Sequence, residues 1–499
     1  MWLGEIAARH AAVRPDALAL RDRNRDLSWR ELDREVRALA AALRARTARG
    51  SAVVVLSAGR VEVLASYLAC SRADLLIAPL NPALTQPELR ALLGTVRPAL
   101  ALADAAGLAQ LRQLDPALPV IPMDDIATLP APDHVSILHS GLDTPRFLLH
   151  TSATTGTAKA AVLGEEAHRA HTLSWLAQPG ADPDKVLLTG SPLFHGAMTI
   201  PLTYLAAGAT VCLPDRFTPQ GCLAALERWR VTDLFLVPAM LQLLLRTKAL
   251  ASTDLSALRV IMHGAAPMPE DLREQVERLL KVDLCGIYSC TEAGGCIVTL
   301  APHDQPGAPP VPGATCAGRP GLGTRMRLTD RNAEPTPAGE VGEIRLSGPG
   351  LMHGYRGNPE ATAAVLHDGW FATRDLGVLD ESGRLWVVNR REDLLLRGGQ
   401  NVYPAEVEQV LRQLPQVLDA AVVPAPSPEW GQVPVAFLVT TEHVPPSTLI
   451  RHCVTRLADH KRPVRYVPLD ELPRNPAGKI LRNPLRLQAE RLLAESAEP

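Results

Sequence analysis

The sequence predicts an α/β protein with three parts: a large N-terminal domain of βαβ units, a small β subdomain, and an α+β domain at the C-terminal end. Three observations predict this. Short β-branched or apolar runs alternate with helix-period patterns through the first part of the chain. A stretch dense in Pro and Gly, Ala301 to Gly323, ends that alternation. From Arg325 onward the apolar runs shorten and turn residues crowd between them.

Taken in order, Leu32, Val36, Leu39, Ala40 and Leu43 recur at helical spacing, and Ser51 to Ser57 follows as a buried strand. Phe147 to Leu149 reads as another strand, and the alternation returns at Lys185 to Thr189, Ala209 to Leu213, Thr232 to Val237 and Leu258 to His263. Strands separated by helices of this length predict parallel βαβ units, which place ligands in loops leading from strand ends into helices. Ala301 to Gly323 is expected to be irregular, and Arg325 to Val388 to form short strands with turns such as Asn332 to Gly342 and Asp380 to Gly383. A last segment begins near Glu392 or Asp393. It holds a helix at Ala405 to Leu414, apolar runs at Leu418 to Val423 and Val435 to Val439, and a helix from Pro446 to Ala458, within the usual size of a separate domain. The expected boundaries are 1–391, with the β subdomain at about 318–391, and 392–499.

A chain of 499 residues is too long for one compact core. Its 46% hydrophobic and 21% charged content is ordinary for a globular protein, and a net charge of -2 gives no footprint for nucleic acid. The basic residues are spread along the chain, as at Arg21 to Arg25 and Arg37 to Arg49, and read as solvated helix faces. Met1 to His10 lacks the basic and apolar regions of a secretory signal, and no apolar run approaches the roughly 20 residues that span a bilayer. The eight cysteines include no CxxC pair and no histidines at zinc spacing, so they read as small buried residues in a reducing compartment. A cytoplasmic location is the expectation.

The first chemical signal is Thr151-Ser-Ala-Thr-Thr-Gly-Thr-Ala-Lys159. Its glycine and small side chains let backbone N–H groups approach a polyphosphate, the hydroxyls add donors, and Lys159 adds charge. It is not GxxxxGK[ST], and by composition alone a Ser/Thr/Gly loop is more often an ordinary surface loop. Seven further landmarks follow in chain order: Pro192-Leu-Phe-His195, Gly264-Ala-Ala-Pro267, Tyr288-Ser-Cys-Thr-Glu292, Asp368-Gly-Trp-Phe-Ala-Thr-Arg-Asp375, Arg390-Arg-Glu-Asp393, Gly398-Gly-Gln-Asn-Val-Tyr-Pro-Ala-Glu406 and Pro473-Arg-Asn-Pro-Ala-Gly-Lys479. With these the sequence resembles the acyl- and aryl-CoA synthetase branch of the adenylate-forming superfamily, from about Leu27 to Arg482.

The resemblance implies a β-barrel form for the subdomain, a mobile C-terminal domain, and a role for each matching residue. Thr151, Ser152, Thr154, Thr155, Gly156 and Lys159 would hold the ATP phosphates. Glu292 would ligate Mg2+, a hard cation suited to carboxylate and phosphate oxygen, with Thr291 beside it in the nucleotide site. Tyr288 would stack on adenine, and Gly264, Ala265 and Ala266 would line the base. Asp375 would accept the ribose hydroxyls with Arg390 nearby; an ordinary surface ion pair is the alternative for those two. Lys479, His195 and Glu292 are the catalytic candidates. Attack of a carboxylate on an α-phosphate brings two anions together, and a lysine bridging them would stabilise and orient that state. His195, Met198, Ile287, Ser289 and Gly294 would form the acyl pocket, although His195 also reads as a core histidine.

Gly398 and Gly399 match the loop that lines the pantetheine tunnel in CoA-forming relatives, and Glu392 matches the hinge about which the small domain swings. The implied reaction is activation of a carboxylic acid by ATP to acyl-AMP, with pyrophosphate released, then transfer to CoA. The alternatives are transfer to a carrier-protein phosphopantetheine or another acceptor, and a catalytically impaired homologue. Amino-acid-activating relatives carry an aspartate where His195 stands, and the apolar segments Phe194 to Leu202 and Gly286 to Val298 suit an aliphatic or aromatic tail. A monomer or homodimer is expected. Five positions depart from the family pattern: Ala153, Ser289, Arg374 and Asn389 replace glycine, and Ala158 replaces proline. Lys159, Glu292, Asp375, Arg390 and Lys479 are all retained, which favours a working enzyme.

Overall fold

The computed structural model describes residues 2–138, 141–151, 159–178, 180–214, 217–302, 304, 306–330, 332–475 and 478–495. Three sheets organise the chain. In the first, Leu76–Leu80, Ala52–Leu56, Leu100–Ala103 and Val120–Pro122 run parallel. On its other side Pro145–His150 pairs with Ala160–Gly164, and that strand with Gly354–Tyr355, both antiparallel. Ala52–Leu56 (AVVVL) is buried at every position, as a strand covered on both faces must be.

The second sheet has a parallel run through Asp283–Tyr288, Val260–Gly264, Asp233–Phe235, Val186–Thr189, Thr210–Cys212 and Leu18–Arg21. It continues antiparallel through Val298–Leu300 and Thr315–Pro320 into Leu385–Arg390, Trp370–Leu379, Gly342–Ser347 and Arg325–Thr329. One apolar cluster draws on both sheets, joining Val53, Val55, Ile77 and Phe147 to Leu187, Val211, Phe235 and Met262. Helix Val61–Ala73, buried along its whole length, contributes to the same cluster. The surface helix Trp29–Arg44 starts where Ser28 and Glu31 form a capping box, and it turns Leu32, Val36, Leu39 and Leu43 inward.

The third sheet pairs Gln400–Val402 with Leu395–Arg397, then Gly431–Thr440, Val417–Ser427 and Arg465–Pro468. Helices Pro404–Arg412 and Pro446–Val454 contribute to the apolar cluster on one face and Arg482–Glu495 to that on the other, all from residues 395–493.

Three expectations change. Arg21 to Arg25 is not a solvated helix face: Arg21 ends the strand Leu18–Arg21, and Arg25 is paired at 2.5 Å with Glu35 and with Glu62, both buried. Ala301 to Gly323 is not wholly irregular, because Thr315–Pro320 is a strand. Its register shifts between Cys316 and Gly318, and Gly318 has φ +90°; a glycine-bearing bulge lets a Pro/Gly-rich segment pair. The segment bounded by Thr151 and Lys159 joins a strand to a strand and not to a helix: His150 lies opposite Ala160, and the Thr151 N–H donates to the Lys159 carbonyl at 2.9 Å. Among the described residues no helix is long and apolar enough to cross a membrane. All eight cysteines are free thiols.

Candidate active site

The adjacent strands Trp370–Leu379 and Leu385–Arg390 set Asp375 directly opposite Arg390. Their ion pair is 3.1 Å long, from Arg390 Nε to Asp375 Oδ1. The other carboxylate oxygen accepts the Tyr288 hydroxyl at 2.8 Å. Tyr288 ends strand Asp283–Tyr288, and burial followed by the Asp375 charge pushes its phenol well above its ordinary pKa, so it remains a donor. Asp375 is buried, while the Arg390 side chain is 31% exposed. Each of its oxygens retains a lone pair for a further donor.

Lys479, from the small domain, comes within electrostatic reach of this cluster. Its loop closes on itself: Asn475 N–H donates to the Lys479 carbonyl at 2.9 Å, and Asn475 Oδ1 accepts the Lys479 N–H at 2.9 Å. Gly478, at φ +78°, lies against the Val237 side chain of the large domain. Burial lowers the Lys479 pKa, and the Arg390 charge adds to that, while Asp375 and Asp393 oppose it.

A second group lies around Glu292. Glu292 Oε1 accepts the Tyr355 hydroxyl at 2.7 Å, and Lys159 Nζ stands 5.2 Å from the centre of the Tyr355 ring. Tyr355 reaches this position because Gly354–Tyr355 pairs with Ala160–Gly164, the strand that follows Lys159. Sequence reasoning missed Tyr355; a two-residue strand carries no periodicity. Thr291 and Glu292 lie in a 3-10 turn, and the Met352 N–H donates to the Glu292 carbonyl at 2.8 Å. Among the described residues no group of three or more His, Cys, Asp and Glu could hold a metal by itself. A half-buried single carboxylate, oriented by Tyr355, fits Mg2+ that takes its remaining oxygens from phosphate and water.

Gly264 packs against the Ile287 carbonyl, where a Cβ would come within 2.8 Å, and Ala265 takes a left-handed φ of +64°. Thr151 is described, whereas Ser152, Thr154, Thr155 and Gly156, with Ala153 and Ala158, lie outside the described residues.

His195 precedes the 3-10 turn Gly196–Met198, its ring 4.5 Å from that of Phe194. Burial lowers its pKa to about 4, and its Nε2 has no partner. His150 is likewise lowered to about 4, by burial and then by His195, and neither of its ring nitrogens has a partner. Met198 is buried and Ile287 half-buried against the same apolar cluster. The Ser289 hydroxyl is 3.3 Å from the Cys290 carbonyl and 3.4 Å from that of Cys296. Gly294, at φ +52°, packs on Leu163, Ala167 and Gly350.

The structure therefore joins Tyr288, Asp375 and Arg390, with Lys479 within reach of their charges, and separately Lys159, Tyr355 and Glu292. Gly398 and Gly399 are exposed, at φ +57° and +81°, in the turn between Leu395–Arg397 and Gln400–Val402. Glu392 pairs with Arg374 at 3.3 Å. Arg374 occupies φ +62°, a conformation that costs an L-residue about 1–2 kcal/mol and glycine almost nothing.

The family model "AMP-binding enzyme" matches residues 7–356, and "AMP-binding enzyme C-terminal domain" matches residues 406–479. The chain belongs to the AMP-binding enzyme family. Among its relatives, the indoleacetate–CoA ligase of Aromatoleum aromaticum is 34% identical, covering 97% of this chain and 98% of that one. The feruloyl-CoA synthase of an Amycolatopsis species is 36% identical over the same shares. The solved anthranilate CoA ligase AuaEII, in complex with anthranoyl-AMP, superposes with a TM-score of 0.92 at 25% identity, covering 99% of this AMP-binding enzyme and 98% of that chain. These agree with the superfamily, the α/β architecture and the acid–thiol ligase class expected from the landmarks.

Proposed function

We propose that this acid–thiol ligase activates an aromatic carboxylic acid with ATP and passes the acyl group to CoA. The observation that carries the reading is that Lys479, from the small domain, is buried where the charges of Asp375 and Arg390 act on it. The reaction's two anions meet at the α-phosphate, and a lysine whose environment already includes Asp375 can bridge them once the acid and nucleotide fill the space. The acid oxygen forms a bond to phosphorus while the bond to pyrophosphate breaks. The thiol then attacks the acyl carbon and AMP leaves.

Asp375 takes the ribose hydroxyls on its free lone pairs. Tyr288, held by its hydroxyl, offers its face to adenine beside Gly264, Ala265 and Ala266. Thr151 and Lys159 hold phosphate oxygens, and Glu292 is the carboxylate for Mg2+, which supplies charge neutralisation at the phosphates when bound. Glu292 is kept oriented by Tyr355.

The aromatic class rests on the His195–Phe194 ring pair, on Met198 and Ile287, and on the acids named for the relatives. A neutral imidazole at His195 gives no counter-charge for a second carboxylate. We further propose that residues 1–391 form the body and 392–499 a mobile domain, with Gly398 and Gly399 admitting the pantetheine arm once that domain turns. A panel of indoleacetate, ferulate, anthranilate and a straight-chain fatty acid, each with ATP, Mg2+ and CoA, tests the reading. Aryl-CoA and AMP should form in equal amounts with an aromatic acid. Preference for the fatty acid overturns the acid class, and acyl-AMP without acyl-CoA overturns the acceptor.

A further inference from the structure

The junction between the two domains divides its side chains between them. Arg390 is held by Asp375, and Arg391 Nη1 lies 3.6 Å from Glu343 Oε2; both partners are on strands of the second sheet. Glu392 Oε1 is held by Arg374 Nη1 at 3.3 Å, again from the second sheet. At the next residue the allegiance changes. Asp393 pairs with Arg486 at 2.5 Å and Arg482 at 3.5 Å, both on helix Arg482–Glu495 of the small domain. Arg486 Nη2 also donates to the Glu392 carbonyl at 2.7 Å. The carboxylate of Glu392 thus belongs to the body and its carbonyl to the small domain. Among the described residues, Arg374–Glu392 is the last ion pair on the body side of the junction.

Arg374 holds this pair from a backbone position that suits glycine, and it is bonded directly to Asp375, the residue proposed for the ribose. Gly478 packed on Val237, and Gln242 Nε2 donating to the Leu418 carbonyl at 3.0 Å, hold the same arrangement of body and small domain elsewhere. We propose that Arg374 is the latch of the small domain: its ion pair with Glu392 holds the junction in the adenylate-forming arrangement, and release of that pair accompanies the turn to the thioester-forming one. This rests on the two-arrangement reading of the reaction. Arg374 is a positioning residue. It touches neither substrate nor reacting atom and acts through the junction. With 42% and 30% of the two side chains exposed, the pair is weak enough to open on each cycle.

The test separates the half-reactions in full-length enzyme. Acid-dependent pyrophosphate exchange reads adenylation, single-turnover reaction of enzyme-bound acyl-AMP with CoA reads transfer, and trypsin cleavage within the Arg390 to Arg397 segment reads opening of the junction. Arg374→Gly removes the guanidinium and fits the backbone; Glu392→Gln removes the charge from the other side and leaves that backbone untouched. Both should raise the ratio of transfer to adenylation, and the cleavage rate, by about two- to fivefold. Arg374→Lys, which keeps the charge, should stay close to wild type. High salt should bring wild type toward the variants and leave them unchanged. The latch is refuted if neither variant alters the ratio or the cleavage rate, if both half-reactions fall together, or if only Arg374→Gly responds, since that would trace the effect to the backbone beside Asp375. If wild type forms acyl-AMP but never acylates CoA, the two-step reading fails on its own, and the cleavage rates of the two variants still decide the latch.

Discussion

Replacing Tyr355 by phenylalanine removes one hydroxyl and little else, because the ring and its 5.2 Å contact with Lys159 remain. That hydroxyl donates to Glu292 Oε1 at 2.7 Å, a short bond to a charged acceptor. Hydrogen bonds of this kind contribute about 1.5–3 kcal/mol, and loss of an orienting partner of a metal ligand typically weakens metal binding about 10–100-fold. Tyr355→Phe should therefore raise the magnesium concentration for half-maximal adenylation by roughly tenfold or more, with a smaller loss at saturating magnesium. Acid-dependent pyrophosphate release, titrated with magnesium in wild type and variant, measures this. An unchanged half-saturation point, or a loss of rate that magnesium never restores, would refute the assignment of Glu292 and its support by Tyr355.

Gly398→Ala places a Cβ 3.0 Å from the Trp430 ring at a φ of +57°. It should cost about 1 kcal/mol of stability and slow transfer to CoA in single turnover while pyrophosphate exchange stays unchanged; an equal loss in both would detach the glycine pair from the thiol step. The protein should also lose stability in mild acid. Burial lowers the pKa of His150, His171, His195 and His263 to about 4, against 6.5 unfolded. The unfolded chain then takes up protons that the native state refuses, so this stability is present above pH 6.5 and drains away as the pH falls to about 4. Each such histidine contributes a slope of up to about 1.4 kcal/mol per pH unit. Urea midpoints should fall from pH 7 to pH 5, and an unchanged midpoint would contradict the burial of these rings as neutral groups.

The strand–helix alternation was legible because buried strands such as Ala52–Leu56 carry unbroken apolar runs, and helix Trp29–Arg44 carries both its cap and its period in sequence. Tyr288, Asp375, Arg390 and Lys479 were legible as landmarks; the fold bonds the first three to one another and sets Lys479 within reach of their charges. Tyr355 was not, because its position depends on pairing with a strand from a distant part of the chain. Strand Thr315–Pro320 was hidden because Pro and Gly signal a break locally, while the bulge at Gly318 arises in its pairing with Leu385–Arg390, a strand distant in sequence. Arg374 could be marked in sequence as a displaced glycine. Its ion pair with Glu392 follows only from where the two domains meet.

The central claim is that Lys479, presented at the Asp375–Arg390 pair, drives formation of the acyl-AMP. The most direct measurement compares Lys479→Ala with wild type in two separate assays: acid-dependent pyrophosphate exchange, and conversion of synthetic acyl-AMP to acyl-CoA. Exchange should fall by about 100-fold or more, the scale of losing one positioned charge at the reacting centre, while conversion of the preformed adenylate should persist. Undiminished exchange in Lys479→Ala, or an equal loss in both assays, would contradict the account.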